Sequence, residues 1–369
     1  MPTPDKIIGP AGEELPNIGP GSEDLKHLAE DAVHIFGLTG AVGRALMTGI
    51  GLRVVDKRLE TEVAGIHFEN PLIVGAGWDK TGKCVDGLHA LGFAGTEVGT
   101  VLVQPQEGNP KPRMWTDREH RAGLNRLGFN SLGMEAVAAN LARQKRPGVV
   151  GISLGKNKVT PMESAPEEHA AVAKRLYEFA DYFVINVASP NTPGLRTLLN
   201  AKPLTEIVVA VQEVLKAKGP KPLFVKTTID LALEDLDSVL KVCIDNGVDG
   251  IVDTNTTIDN KLKAEYGWGG QPGGLSGDNP EYRRRANERM KHITRHTKGT
   301  GLRRIGVGGV HDAATAIERL EAGAEVLQVV TAIRQHLGFV AGPINRGILA
   351  ELKRRGLSHV SELVGQAAK

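Results

Sequence analysis

The residues of this chain best able to do chemistry are crowded into Tyr182 to Leu198, YFVINVASPNTPGLRTL. Two carboxamides, Asn186 and Asn191, and two hydroxyls, Ser189 and Thr192, follow an apolar run, and Pro190, Pro193 and Gly194 hold them in a rigid turn. Taken alone, the stretch fits a polar loop with Asx-type turns as well as it fits a site. Its place decides more, because the carboxyl end of a strand is where α/β sheets bind ligands. Other chemistry-bearing types recur at the ends of strand-like runs: Ala76-Gly77 leading to Lys80, Gly99-Thr100, Ser153 with Lys156 and Asn157, Lys226-Thr227, Thr254-Asn255-Thr256, Gly306 to Gly309, and Val330-Thr331. The set is nearly free of carboxylates and has no histidine cluster, which argues against hydrolytic dyads and metal catalysis. Amides, hydroxyls, glycine backbone and a few lysines suit a neutral or anionic hydrogen-bonding ligand instead.

Positioning such a set requires many strand ends on one rim. Apolar strand-like runs occur at 72–74, 95–98, 149–152, 183–186, 223–226, 250–253, 304–307 and 326–329. Helical patterns fall between them near 82–91, 134–143, 166–179, 203–218, 233–246, 280–295 and 313–322, with a last one near 343–354. Strand and helix in alternation call for a parallel sheet, and roughly eight such units over about 300 residues call for a closed (β/α)₈ barrel of the α/β class. Residues 63–68 read as a short hairpin strand ahead of it. Further upstream, Leu25, Leu28, Ala29, Ala32, Val33 and Phe36 recur at helical spacing until Gly37, and Val42, Leu46, Met47 and Ile50 follow. The expected organisation is therefore a tail and amphipathic two-helix extension over 1–60 and a barrel over 61–369. The extension can pack on the barrel, form a dimer element, or touch a membrane surface.

Composition narrows the function. The chain has 369 residues with 45 Lys+Arg against 43 Asp+Glu, so no field for nucleic acid is implied. Glycine is abundant at 45 while aromatics are only 4%, which favours backbone-lined sites over base stacking. The two cysteines, Cys84 and Cys243, have no metal-ligand spacing and read as small buried residues in a reducing compartment. The first residues lack the basic and apolar regions of a signal peptide and are expected to wrap loosely or stay mobile. No apolar run reaches the roughly 20 residues that span a bilayer. Three glycine-rich or hydroxyl-bearing segments, 273–277, 306–309 and 330–331, follow the sixth, seventh and eighth strand runs. Backbone N–H groups at those ends commonly cradle a phosphate.

The segments NPLIVGAGWDKTG, EVGTVLVQPQEGNPKPR, NRLGFNSLG, SLGKNK, NVASPNTPGLR, VKTTIDL, DTNTT, GGLSG and IGVGGV occur in this order from residue 70 to 310. Together they resemble the dihydroorotate dehydrogenases, FMN-dependent barrels that oxidise dihydroorotate to orotate in pyrimidine biosynthesis. Serine at Ser189, where another branch has cysteine, and the two-helix extension resemble class 2, the quinone-linked branch. The resemblance implies that Ser189 is the base that removes a proton from C5 while C6 gives a hydride to the flavin. It implies that Thr192 relays the proton and that Phe129 lines the exit path. Lys80, Asn125, Asn186, Asn191, Asn255 and Thr256 match the orotate-binding set, a cation and amides suited to a planar pyrimidine with a carboxylate. Lys226 matches the lysine beside flavin N1 and O2, where positive charge favours the reduced ring. Ala76, Gly77, Thr100, Ser153 and Thr254 match positions at the flavin ring. Ser276, Gly277, Val307, Gly308, Gly309, Val330 and Thr331 match the segments around its ribityl phosphate.

Three positions depart from the pattern. Ser153 stands where an asparagine is usual, Thr116 where class 2 usually carries an arginine lining the quinone tunnel, and Val330 where a tyrosine is usual. The last two bear on the electron acceptor, so a related flavin barrel with another oxidant, and a barrel that binds flavin or orotate without turnover, stay open. The implied partners are dihydroorotate and a quinone, and the implied location is cytoplasmic, peripheral on the inner face of the cell membrane through residues 23–51.

Overall fold

The computed structural model describes residues 23–336 and 338–368. The expectation of a loosely wrapped leading segment lies outside the described residues, as does the side chain of Leu25. In chain order, helices α1 (Glu23–Gly37) and α2 (Gly40–Gly49) come first, then an antiparallel hairpin of β1 (Thr61–Val63) and β2 (Ile66–Phe68). Strand β3 (Leu72–Val74), helix α3 (Val85–Ala90) and strand β4 (Gly95–Val101) begin the main sheet. Two strands then leave it, β5 (Met114–Asp117) and β6 (Ala122–Asn125), before α4 (Met134–Leu141). The alternation resumes with β7 (Val149–Leu154), α5 (Ala165–Leu176), β8 (Tyr182–Ile185), α6 (Ala201–Lys218), β9 (Leu223–Thr228), α7 (Leu233–Asp245) and β10 (Gly250–Asn255). It closes through α8 (Asn260–Ala264), β11 (Gly274–Gly277), α9 (Pro280–His296), β12 (Arg303–Val307), α10 (Ala313–Glu321), β13 (Val326–Val329), α11 (Thr331–Gln335) and α12 (Ala341–Arg355).

Strands β3, β4, β7, β8, β9, β10, β12 and β13 pair in that order, all parallel, and β13 returns to β3, so the sheet is a closed eight-stranded barrel. The expected (β/α)₈ architecture with its two-helix extension is the one observed. Several strands run past their apolar stretch, β4 to Val101, β9 to Thr228 and β10 to Asn255. Threonine and asparagine end the hydrophobic pattern there while the backbone ladder continues. Helix α3 starts later than its apolar pattern because the Asp79 carboxylate accepts from the backbone N–H groups of Thr81, Gly82 and Cys84 at 2.9, 2.8 and 2.9 Å. That turn holds 79–84 out of the helix.

Inside the barrel, Ile73, Val184, Phe224, Val252, Ile305 and Val326 pack with Val63 and Phe68 of the hairpin, which plugs the amino-terminal end. The plug leaves the carboxyl end as the open mouth. Over that mouth lies a small antiparallel sheet in which β6 pairs with β5 and β11. The segment Gly274–Gly277, expected as a glycine loop after a barrel strand, is thus a strand of this cover. The cover goes unseen in the sequence because its strands are four residues long and β11 meets β6 from the far side of the chain.

Helix α1 lies against α3. A Cβ on Gly37 would sit 2.7 Å from the Gly87 nitrogen, and one on Gly87 would sit 2.0 Å from the Val33 carbonyl, so both glycines are required for the approach. The opposite face of the extension is apolar and open to solvent: Leu28, Ile35, Leu38, Val42, Leu46 and Ile50 are each more than half exposed. No helix among the described residues is long and apolar enough to cross a membrane.

Candidate active site

Seven of the eight barrel strands or their following loops contribute to one cavity at the barrel mouth, about 1020 Å³ of empty space counted to its opening; β7 does not. The β3 loop brings Ala76, Gly77 and Lys80, β4 brings Thr100, and the cover brings Asn125, Ser276 and Gly277. Phe129 comes from the loop after β6, and Asn186, Ser189 and Asn191 from the loop after β8. Lys226 lies within β9, and Thr254, Asn255 and Thr256 at the end of β10. Val307, Gly308 and Gly309 follow from β12, and Val330 and Thr331 from the start of α11. Ser153 and Thr192 are buried just off this wall. The Ser153 hydroxyl is 3.0 Å from that of Thr100, and the Thr192 hydroxyl is buried without a hydrogen-bond partner.

The polar groups are held by their neighbours. Asn186 donates to the Thr100 hydroxyl at 2.7 Å, and Asn191 donates to the side-chain oxygen of Asn125 at 3.3 Å, tying the Ser189 loop to the cover. The Ser189 hydroxyl accepts from the backbone N–H of Asn191 at 3.2 Å. Lys80, next to the anchored Asp79, donates to the side-chain oxygen of Asn130 at 2.7 Å. Burial first, then the positive charges of Lys26 and Arg113, push its ammonium down to about 7. On the cavity side formed by β11, the loop after β12 and α11, the hydroxyls of Ser276 and Thr331 are 2.8 Å apart, and Gly308 and Gly309 both have positive φ, +94° and +76°.

Lys226 stands at the floor, 3.7 Å from the Glu97 carboxylate of β4. Glu97 accepts in turn from Gln328 and, at 3.5 Å, from the Tyr182 hydroxyl. This polar layer inside the barrel has one member that the sequence singles out, Lys226. Gln328 interrupts the apolar run VLQVV and could have flagged it, whereas Glu97 sits where only the pleat tells interior from exterior. Tyr282, whose hydroxyl donates to the Asn255 carbonyl at 3.1 Å, and Arg334 also line the cavity without any local sequence signal.

A second cavity, about 1230 Å³ on the same measure, lies between the two-helix extension and the barrel. Its wall is mostly apolar: Ala29, Ala32, Val33, Phe36, Met47, Trp78, Leu91, Ile333 and Phe339, with Lys26, Arg118 and Arg334. Met114 and Arg334 stand on the walls of both cavities. Thr116 stands on neither, and its hydroxyl is buried without a partner.

The arrangement can bind a flat ligand deep in the barrel, pair an anionic group with a lysine, and present a hydroxyl from a loop clamped over it. The family model described as Dihydroorotate dehydrogenase matches residues 58–352. The chain is 42% identical over 313 residues to "Dihydroorotate dehydrogenase (quinone)" of Rhodospirillum rubrum, covering 84% of each. It is 40% identical over 356 residues to the protein of that name from Chloroflexus aurantiacus, covering 91% of this chain and 94% of the relative. It also superposes on a crystal structure of DHODH from Eimeria tenella in complex with ferulenol, with a TM-score of 0.81 and 30% identity over 93% of this chain and 96% of that one. With cavity, barrel and sequence in agreement, the chain belongs to the dihydroorotate dehydrogenase family.

Proposed function

We propose that this protein oxidises dihydroorotate to orotate in pyrimidine biosynthesis, with FMN in the barrel mouth and a quinone as the final acceptor. The observation that carries the reading is the convergence of Ser189, Lys80 and Lys226 on one cavity that adjoins, through Met114 and Arg334, a second, apolar one.

The residues present fit the flavin. A Cβ on Gly77, which has φ of +105°, would meet nothing within 4 Å, so the wall there is open to a flat ring. The Thr254 hydroxyl and the Gln328 side-chain oxygen, both on the wall, are buried without partners, as groups waiting for a polar heterocycle would be. Thr100, Thr254 and Lys226 would hold the ring, and Ser276, Gly277, Gly308, Gly309 and Thr331 the phosphate through hydroxyls and backbone N–H groups. FMN when bound supplies the two-electron acceptor for the hydride that leaves C6 of dihydroorotate.

The chain's own residues do the rest. Lys80 pairs with the substrate carboxylate, and Asn125, Asn186, Asn191, Asn255 and Thr256 hydrogen-bond the pyrimidine edge. The loop clamp over the mouth excludes water from the reacting face. Ser189 Oγ takes the C5 proton. A serine hydroxyl is a weak base, so its proton must move on as it does so, and the partnerless hydroxyl of Thr192 on the same loop is the nearest candidate in sequence to receive it. Lys226, 3.7 Å from the Glu97 carboxylate, would supply a positive group to the bound flavin.

The apolar cavity suits a quinone ring and tail, and the exposed face of α1 and α2 suits a peripheral membrane contact from which such an acceptor arrives. The test is optical. Purified protein should be yellow, dihydroorotate should bleach it anaerobically, and a ubiquinone or menaquinone analogue should restore the colour faster than fumarate. Protein that stays colourless after FMN is added refutes the site, and faster recovery with fumarate refutes the acceptor.

A further inference from the structure

Of the three cations on the apolar cavity wall, two have an ordinary place. Lys26 is ion-paired with Glu30 one turn along α1, and Arg118 is exposed at the surface. Arg334 has neither. It lies one turn into α11 from Thr331, lines both cavities, and its Nη1 is buried without a hydrogen-bond partner. Among the described residues no carboxylate pairs with it, and neither cavity wall carries one. Burial pushes its guanidinium down to about 10, which leaves it charged at neutral pH. A half-buried cation with one buried, unpaired nitrogen is destabilised unless something else supplies the acceptor. The position between two ligand cavities says what that something is.

We propose that Arg334 anchors the electron acceptor, its guanidinium donating to a carbonyl oxygen of a quinone at the inner end of the apolar cavity. The proposal rests on the functional reading above and adds the residue that aims the acceptor at the flavin. Reduction turns the quinone's two carbonyl oxygens into hydroxyls, with two electrons from the reduced flavin and two protons from flavin and solvent. A fixed cation on one oxygen favours the charge that gathers there as electrons arrive. The rest of the wall is mostly apolar (Val33, Phe36, Met47, Ile333), and its other cations, Lys26 and Arg118, are ion-paired or at the surface. The cation comes from α11 and not from Thr116 of β5, which lines neither cavity. A competing role, counter-charge for the flavin phosphate, predicts a different loss.

The experiment compares full-length flavin-loaded protein with Arg334→Met and Arg334→Lys. FMN content, the FMN dissociation constant, anaerobic reduction by dihydroorotate, reoxidation by decyl-ubiquinone and by ferricyanide, and decyl-ubiquinone binding by tryptophan quenching are read for each. Expected for Arg334→Met are wild-type FMN affinity and reduction, and ferricyanide reoxidation at the wild-type rate. Reoxidation by decyl-ubiquinone should slow by about 10²- to 10³-fold, the usual loss on deleting one charge-stabilising donor. Quinone binding should weaken at least tenfold, and Arg334→Lys should recover part of both. Weakened FMN binding with unchanged quinone binding overturns the proposal in favour of the phosphate, and wild-type behaviour throughout overturns it outright. Native protein that dihydroorotate bleaches but decyl-ubiquinone neither binds nor reoxidises refutes the quinone reading itself, whatever the variants do.

Discussion

Ser189 and Lys80 carry the sharpest expectations at the level of single side chains. Replacing Ser189 with alanine should leave FMN and orotate bound but slow anaerobic bleaching by about 10²- to 10⁴-fold, the usual contribution of a positioned base. Stopped-flow absorbance decides this, and wild-type bleaching would remove Ser189 from its role. Lys80 makes a prediction about pH. Its ammonium titrates near 7 in the ligand-free site, because burial and the charges of Lys26 and Arg113 disfavour the proton. A bound carboxylate favours it, so orotate binding should take up a proton above that pH and lose about tenfold in affinity per pH unit. Below about pH 6 the affinity should level off. Calorimetry in buffers of different ionisation enthalpy measures the uptake, and Lys80→Met should abolish it. The identity of Lys80 was legible in the sequence, but its titration was not. Lys26 and Arg113 approach it only because α1 and the β5 side of the cover fold over the same corner.

Among the elements, α1 is the one whose attachment matters most. Its Glu23 accepts two hydrogen bonds from Arg113, at 2.8 and 2.7 Å, and Arg113 also donates to the Asn109 carbonyl at 2.8 Å. Asn109 donates to the Asn191 carbonyl at 3.3 Å, so α1 is joined to the Ser189 loop by a short chain of contacts. Burial raises the Glu23 carboxyl, but hydrogen bonds from His27 and Arg113 outweigh it and hold the group well below the usual carboxylate range. His27, bonded to Glu23 and Glu30, is raised to about 9. The His27 contribution is therefore whole below its ordinary value of 6.5 and lost as pH rises through about 9. Protease cleavage within α1 should accelerate over that window in wild type, and His27→Gln should flatten the rise. At the α1–α3 contact, Gly87→Ala forces a methyl into the Val33 carbonyl and should cost about 1–3 kcal/mol in urea unfolding. The same variant should weaken quinone binding more than flavin binding, since the α1 side chains line only the apolar cavity. The amphipathic pattern of α1 was readable beforehand. The glycine pair was not, because Gly37 looks like a helix stop and Gly87 like a flaw in a helix until the two are packed together.

The whole molecule sets a barrel mouth, an apolar cavity and an exposed apolar face side by side. Replacing both Val42 and Leu46 with glutamate changes side chains that are 76% and 55% exposed, so the fold and the bleaching reaction should be unaffected. Binding to vesicles of neutral phospholipid should fall at least tenfold in flotation assays, because two apolar side chains no longer leave water. Undiminished flotation would assign that face to another purpose. The barrel also depends on charge buried far from the mouth. The Asp253 carboxylate accepts from Thr227 at 2.6 Å and from Arg289 at 3.2 Å, while Arg319 donates to its backbone carbonyl at 2.6 Å. This network holds β10 where it delivers Thr254 and Asn255. Arg289 and Arg319 sit in helical stretches dense with surface charge, and nothing local marks them as interior.

Apolar runs alternating with helical stripes determined the barrel, since a strand buried on both faces reads as an unbroken apolar run and a helix packed outside it as a stripe at helical spacing, and both are written locally. The strand-end hydroxyls, amides and glycines likewise announced the mouth, because a parallel closed sheet puts all those ends on one rim. Tertiary structure alone decided the cover of β5, β6 and β11, the Glu97–Lys226–Gln328 layer, and the place of Arg334 between two cavities. Those features are made by groups distant in the chain, and a contact between distant groups leaves no periodicity in either stretch. Only closure of the barrel under its two leading helices brings them within reach of one another.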